Sequence, residues 1–419
     1  MSGARTTRSL LRLALARVAL PLDAGEIPAE FGTARWITAP SPAAAEAAEG
    51  AWRFMRSFVT TGAVARAELT VCGLGAFVAS LDGREVNGDF LAPGYADYGK
   101  ELPYETYQLG ALAAGTNELS VLVANGYGPN FTDYAPAWRA PKRLIARLRL
   151  LSGRGETLGE VVTDAGWRVV TKTALASSDL YDGETWDFAA EEGKPLPVRE
   201  VAPHGGALVP RATARVVRRE RHPPLAVWRA GDGSFLVDFG QNLAGFAELA
   251  VRPEQRGEIS LSYAEELADG RDDLDRRTNG RAAATDAFRS PAAAPSGTLA
   301  PRFAYHGFRY VKVRGYEGEL TKADISAQAI YADVKVRRMP KVDDPHEAHL
   351  LAMAVNSMKM NLMSLPTDCA VRDERAPCLM DTHTYWRTAC EIFDLRDYTR
   401  AWCRYVNAST IDVQAKHKG

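Results

Sequence analysis

The stretch ISAQAIYADVKVRRMPKVDDPHEAHLLAMAVNSMKMNLMSLP, residues 325–366, contains the change of pattern on which the fold turns. Its first part, ISAQAIYADVKV, closes a long β-rich run. At Asp343-Asp344-Pro345 the pattern switches to a helix start, with proline in the first turn, where the N–H it lacks would be unpaired anyway. Leu351, Val355, Met358 and Leu362 then recur at helical spacing, and the helix is expected to run to Pro366. Upstream the chain reads as strand; downstream it reads as helix.

Working back from this point, period-2 alternation dominates, the mark of strands with one buried face. Leu69 and Val71 share a face in AELTV, as do Leu119, Val121 and Val123 in NELSVLV. Leu144, Ala146, Leu148 and Leu150 do the same in RLIARLRL. FVAS leads into Asp82-Gly83, a pair that favours a tight hairpin turn. Short strands punctuated by Gly, Asn and Asp predict a sandwich or jelly roll. Pro203–Gly206 is the expected boundary, followed by a second β-rich run (FLVDFG, FAELAV, EISLSYAEEL, RYVKVRGY) with a surface loop from Ser290. Working forward, Tyr385, Trp386, Cys390 and Phe393 mark a second helix, and Tyr398, Trp402 and Tyr405 a third. The expected organisation is an N-terminal segment and linker over 1–50, a β-sandwich over 51–203, a second over 207–340, and an incomplete α-helical domain over 343–419.

Composition sets outer limits. A chain of 419 residues, 46% hydrophobic and 25% charged, is long enough for several domains with sizeable cores. A net charge of −1 gives no basic excess for a nucleic-acid backbone, so no nucleic-acid partner is expected. No apolar run reaches the ~18 residues of a membrane span. At the N-terminus, Arg12 and Arg17 interrupt the apolar stretch a secretion signal needs, which favours a cytoplasmic location over export. The five cysteines (72, 369, 378, 390, 403) fit no zinc spacing and are expected to be buried free thiols. No cofactor or metal is expected, and oligomeric state is not legible.

The densest polar cluster is TDCAVRDERAPCLMD, Thr367–Asp381, between the first two helices. It gathers Asp368, Asp373, Glu374 and Asp381 with Arg372 and Arg375. Guanidinium groups beside carboxylates decide which acid keeps its proton, as general acid catalysis requires. Charge clusters of this kind are more often solvated ion pairs. Asp373 and Glu374 are sequence neighbours whose side chains should diverge, so they do not make an acid/base pair across one bond. A different signature lies in the first β-module: Asp97 and Tyr98, Asn125 and Tyr127, and Glu184 and Trp186. Aromatic faces with planar hydrogen-bonding groups suit a pyranose, though the same residues are common in turns and at core edges. His306 lacks any nucleophile context and reads as structural.

On these residues the chain resembles a bacterial α-L-rhamnosidase of glycoside hydrolase family 78. The N-terminal β-module of that family is echoed by residues 72–109 (CGLGAFVASLDGREVNGDFLAPGYADYGKELPYETYQL), then GTNELSVLVANGYG, TDAGWRVV and LYDGETWD. The next module is echoed by LVDFGQNLAGF, YAEEL, TNGRAAATDAF and PRFAYHGFRYVKVRGY, and the catalytic barrel by NSMKMNLMSLPTDCAVRDER. The resemblance implies two β-sandwich modules followed by the first helices of an (α/α)6 barrel, corresponding to the N-terminal portion of such an enzyme. It implies inverting hydrolysis of terminal α-L-rhamnosides, with a rhamnose-containing glycoside or polysaccharide as partner. Glu374 then matches the general acid, Asp368, Arg372 and Asp373 fall at sugar-contacting positions, and Asp381 is a further substrate-side carboxylate. The family's general base is a glutamate beyond the matching region, so the inverting pair is incomplete in these residues. Ala370 stands where the family has Pro, Pro377-Cys378 where it has Gly-Trp, and Met380 where it has Gly. These departures leave a non-catalytic carbohydrate-binding protein, or an inactive fragment, as the alternative.

Overall fold

The computed structural model describes residues 25–41, 49–127, 141–294 and 297–416. The segment weighed above as an export signal lies outside them. No helix among the described residues is long and apolar enough to cross a membrane.

The first sandwich packs a seven-stranded sheet, which includes Arg66–Gly73, Glu101–Leu109 and Leu144–Leu151, on a six-stranded sheet built around Trp52–Thr60 and Gly115–Ala124. The alternation does what it predicts. Leu69, Val71, Leu144, Ala146, Leu148 and Leu150 of one sheet meet Leu119, Val121 and Val123 of the other in one core with Trp52, Phe54 and Trp167. Each buried aliphatic side chain in such a layer contributes about 1.5–3 kcal/mol relative to exposure. Asp82 (φ 51°) and Gly83 (φ 74°) make the hairpin turn between Ala76–Leu81 and Arg84–Glu85.

The second β-unit is an eleven-stranded sheet organised by one long strand, Phe235–Ala250. It pairs with His306–Arg314 on one side and, from Gly245 onward, with Ile325–Ala332 on the other. A register shift between Asp238 and Leu243, with Gly240 at φ 80°, lets the strand bend and the sheet curl over its own core of Phe235, Val237, Ile259, Leu261, Phe288 and Val311.

The sheets cross the divisions expected from the sequence. Trp36–Thr38 pairs with Arg199–Val201, so it is a strand of the first sandwich rather than linker, and Ala207–Pro210, placed in the second module, runs parallel to Glu101–Leu109. In exchange, both edges of the eleven-stranded sheet come from earlier in the chain. Leu175–Asp179 and Gly183–Asp187 form one edge through parallel pairing with Thr285–Arg289, and Asp89–Phe90 forms the other beside Val216–His222. Alternation states which face of a strand is buried, not which strand lies beside it.

Among the described residues three α-helices follow: α1 (Pro345–Asn361), α2 (Leu379–Ile392) and α3 (Arg396–Lys416). Asp344 caps α1, accepting from the backbone N–H groups of His346 (2.9 Å) and Glu347 (3.0 Å). The helix stops at Asn361, short of Pro366, because Leu362 and Pro366 bridge instead. Val355, Met358, Ala389, Ile392 and Tyr398 pack the helices together and onto Ala332 of the sheet. Where the sandwich, the curled sheet and the helices meet, Tyr95, Tyr127, Tyr181, Tyr305, Met363, Leu365 and Trp402 share a further core. All five cysteines are free as expected, but only Cys72 is buried; Cys403 is exposed.

Candidate active site

The acidic segment is a loop between α1 and α2, closed on itself by a bridge from Thr367 to Pro377. At its centre sits Arg375, with 0% of its surface exposed. Its guanidinium does not face the carboxylates, as the sequence suggested. It donates to the carbonyls of Leu180 (2.8 Å), Tyr305, Arg372 (3.1 Å) and Val371 (3.2 Å) and lies against the rings of Tyr181 and Tyr305. One side chain thus fastens the loop to the eleven-stranded sheet at two places, the Leu180 turn at its edge and Tyr305 at the start of His306–Arg314. A second fastening comes from Asp373, whose carboxylate turns away from the other acids to the Arg281 backbone N–H (3.2 Å) and Nε (2.7 Å). Partial burial opposes ionisation there, but these hydrogen bonds hold the Asp373 carboxyl below its ordinary range.

Three of the expected residues come together. Carboxylate oxygens of Asp368 and Glu374 and the Cys369 sulfur all lie within 4.8 Å of one another. Arg372 reaches Glu374 at 2.8 Å. Asp368 Oδ1 is buried without a hydrogen-bond partner, and burial, with Glu374 nearby, raises the Asp368 carboxyl above its usual range. Burial and Asp368 likewise raise the Cys369 thiol, keeping it protonated. Two carboxylates and a thiol form the one group among the described residues that could hold a cation; the set mixes hard and soft donors and does not suit calcium. Asp381 stands apart, exposed on the first turn of α2 and 2.9 Å from Cys378 Sγ. Met380, in place of a glycine, is 78% exposed, so its bulk meets open space. Ala370 and Val371 lie tight on Gly307, where a Cβ would come within 2.6 Å of Val371 Cγ2.

A cleft of about 830 Å³ opens beside this loop. Asp368, Cys369 and Arg372 line one end, α1 lines a side through His349, Met353 and Asn356, and the curled sheet closes the other end. Such a site can present a half-buried carboxylate and a cation, Asp368 and Arg372, to one small polar ligand, with Glu374 2.8 Å from Arg372.

The candidate sugar face of the first β-module is not a surface. Tyr98 (2% exposed), Tyr127 (4%), Asn125 (8%) and Glu184 (1%) are interior residues. Tyr98 donates to the Gly94 carbonyl, Asn125 donates to the Ser178 carbonyl, and Tyr127 meets Tyr95 edge-on. Trp186 donates to Glu184 and stacks on Phe188, while half-buried Asp97 accepts from the Gly99 N–H. Turn-rich aromatic segments here serve as the seam between the two β-units. Glu184 also accepts from the backbone of Arg302 and Phe303, and burial, reinforced by Asp286, pushes its pKa to about 7. His306, read as structural, is fully buried, stacked on Tyr263 and 3.3 Å from Asp286. No spacing rule flagged this Glu184–Asp286–His306 group, because its members come from separate strands.

Comparison with known families matches three consecutive regions: the alpha-L-rhamnosidase N-terminal domain at residues 62–194, the bacterial alpha-L-rhamnosidase concanavalin-like domain at 228–331, and the bacterial alpha-L-rhamnosidase 6 hairpin glycosidase domain at 341–415. An alpha-L-rhamnosidase of Streptomyces avermitilis is 29% identical over 391 residues, covering 90% of this chain and 38% of that protein. The crystal structure of the S. avermitilis enzyme complexed with L-rhamnose is similar with a TM-score of 0.78 at 27% identity, over 84% of this chain and 35% of that one. The structure of an Aspergillus terreus alpha-L-rhamnosidase gives 0.81 at 26% identity, over 90% and 45%. The chain therefore spans less than half the length of these relatives.

Proposed function

The chain belongs to the bacterial α-L-rhamnosidase family, and on that premise we propose that its acidic loop supplies the proton-donating half of a site that hydrolyses terminal α-L-rhamnosides with inversion. Glu374 gives its proton to the glycosidic oxygen as the bond to C1 breaks. Asp368 and Arg372 hold the hydroxyls of the departing rhamnose. A water attacks C1 from the opposite face and passes its proton to a base. Asp368 is not that base: inversion needs carboxyl groups roughly 6.5–9.5 Å apart to admit the water, and an Asp368 oxygen lies within 4.8 Å of one on Glu374. The observation that carries the reading is this close pair, with Arg372 on Glu374 and a buried, unpaired oxygen on Asp368.

The test joins binding to turnover. L-Rhamnose titrated into the chain by calorimetry is expected to bind, and Asp368→Asn or Arg372→Ala to weaken that binding; a chain that takes up no rhamnose overturns the reading. Aryl α-L-rhamnosides are then assayed with azide as an external nucleophile. Glu374→Gln is expected to slow release of a poor leaving group by roughly 10²–10⁴ and to spare an activated one. Equal turnover by both proteins would remove Glu374 from its role. Proton NMR of the first product formed gives the stereochemistry, and retention would contradict inversion.

A further inference from the structure

A monosaccharide held by Asp368 and Arg372 fills only one end of the adjoining cleft. At about 830 Å³ the cleft lies toward the top of the ~300–1,000 Å³ range of drug-sized ligand pockets. Its far wall belongs to the curled sheet: Gln241, Asn242, Glu265, Arg277, Thr278 and Arg309. A smaller hollow of about 270 Å³ adjoins it along α1, sharing Gln241, Ala352, Asn356 and Met360. The two are divided where the Asn356 side chain donates to the Asn242 carbonyl at 2.6 Å.

The chemistry of this wall is selective. No Phe, Tyr or Trp is among the lining residues of this wall, so it offers a flat aromatic group no broad apolar ring face. Each guanidinium is already matched by an acid: Arg309 with Asp238 (2.8 and 2.9 Å), Arg277 with Asp275 (Nε at 2.9 Å) and Arg372 with Glu374 (2.8 Å). An anionic ligand therefore meets little uncompensated positive charge. Glu265 accepts one hydrogen bond, from Asn242 Nδ2 (3.0 Å), and its other oxygen has no partner among the described residues. A free carboxylate oxygen, side-chain amides, a threonine hydroxyl and leftover guanidinium N–H groups together match the hydroxyls of a sugar.

We propose that this wall is a subsite for the leaving-group side of the substrate, and that it takes a neutral saccharide: the chain's ligand is a rhamnosyl oligosaccharide rather than an aromatic or uronate-bearing rhamnoside. The inference rests on the rhamnosidase reading above. It assigns to the second β-unit a specificity role that none of the acidic-loop residues performs.

The experiment is a calorimetric titration of the full chain with four probes: methyl α-L-rhamnoside, a sulfur-linked α-L-rhamnosyl-glucose, its glucuronate counterpart, and a nitrophenyl thio-α-L-rhamnoside. The rhamnosyl-glucose is expected to bind at least about tenfold tighter than the methyl glycoside, the range of one charge-assisted hydrogen bond. Glu265→Ala and Arg277→Ala should each erase most of that advantage while leaving the methyl glycoside unchanged. Circular dichroism and a Glu265→Gln variant, which retains the Asn242 contact, separate loss of the subsite from loss of fold. Equal affinity for the two neutral probes, tighter binding of the nitrophenyl or glucuronate probe, or an advantage that survives both substitutions overturns the subsite while leaving the rhamnose site standing. Absence of binding by every probe overturns the rhamnosidase reading itself.

Discussion

Asp373 and Arg281 join the acidic loop to the curled β-sheet through two hydrogen bonds on one carboxylate, from the arginine backbone at 3.2 Å and from its Nε at 2.7 Å. The adjoining Gly280 has φ +65°, and a Cβ there would come within 2.6 Å of Asp373 Oδ1. The sheet thereby fixes where the neighbouring Arg372 and Glu374 begin. Arg281 is largely exposed, so Arg281→Ala is expected to cost at most about 1 kcal/mol of stability and yet to weaken L-rhamnose binding. Gly280→Ala meets both steric and backbone strain and is expected to cost about 1–3 kcal/mol. Denaturant titration and calorimetry on the two variants check this; loss of stability without loss of binding would show that the tether does not serve the site.

Arg375 is expected to be the most sensitive position of the loop. Arg375→Met keeps much of the volume but leaves the carbonyls of Leu180, Tyr305, Val371 and Arg372 short of a donor in the interior. Each unsatisfied buried acceptor costs about 1–3 kcal/mol. The expected loss is at least about 3 kcal/mol, with early proteolysis between α1 and α2. A melting temperature within a degree of the parent would contradict this.

Ligand binding should depend on pH through Asp368. As an ionised acceptor for a sugar hydroxyl it works above its pKa, which burial and Glu374 raise from the ordinary aspartate value. Affinity for L-rhamnose is therefore present at neutral pH and is lost as pH falls through that raised pKa, earlier than for an exposed aspartate. Calorimetry from pH 7 down to 4 measures it. Asp368→Asn should bind weakly with a flat profile.

Stability should carry a separate pH signature from Glu184. Burial and Asp286 raise its pKa from 4.5 to about 7, so between these values the folded chain holds a proton that the unfolded chain has released. Stability then falls as pH rises from about 4.5 to about 7, by up to ~3 kcal/mol, and levels off above. Urea midpoints at pH 5, 6, 7 and 8 give the slope, and Glu184→Gln is expected to remove it.

The sequence carried the architecture further than the site. Alternation in RLIARLRL and NELSVLV named core residues that meet across the first sandwich, and the Asp344-Pro345 start placed α1 at its capped end. It carried less where partners are remote. Nothing local in LYDGETWD marks Gly183–Asp187 as a strand of another sheet, and Tyr127 looked like a sugar platform because a turn aromatic and a buried one have the same neighbours in sequence. In the acidic loop, residue types marked Asp368, Asp373, Glu374 and Asp381 with Arg372 and Arg375 as one cluster, and of these only Asp368, Glu374 and Arg372 come together. Adjacency could not say that Asp373 would leave for Arg281, or that Arg375 would ignore every carboxylate in favour of main-chain carbonyls.

The borrowed edges of the eleven-stranded sheet bear on how this protein can be cut and recombined. Asp89–Phe90 and Gly183–Asp187 lie early in the chain yet complete the sheet at its two ends. A fragment ending near residue 203 carries off both border strands, leaving the remainder with two raw backbone rows open to self-association. Grafting either half onto a foreign partner would leave the same rows open, so expression and engineering of the β-portion call for the whole of it.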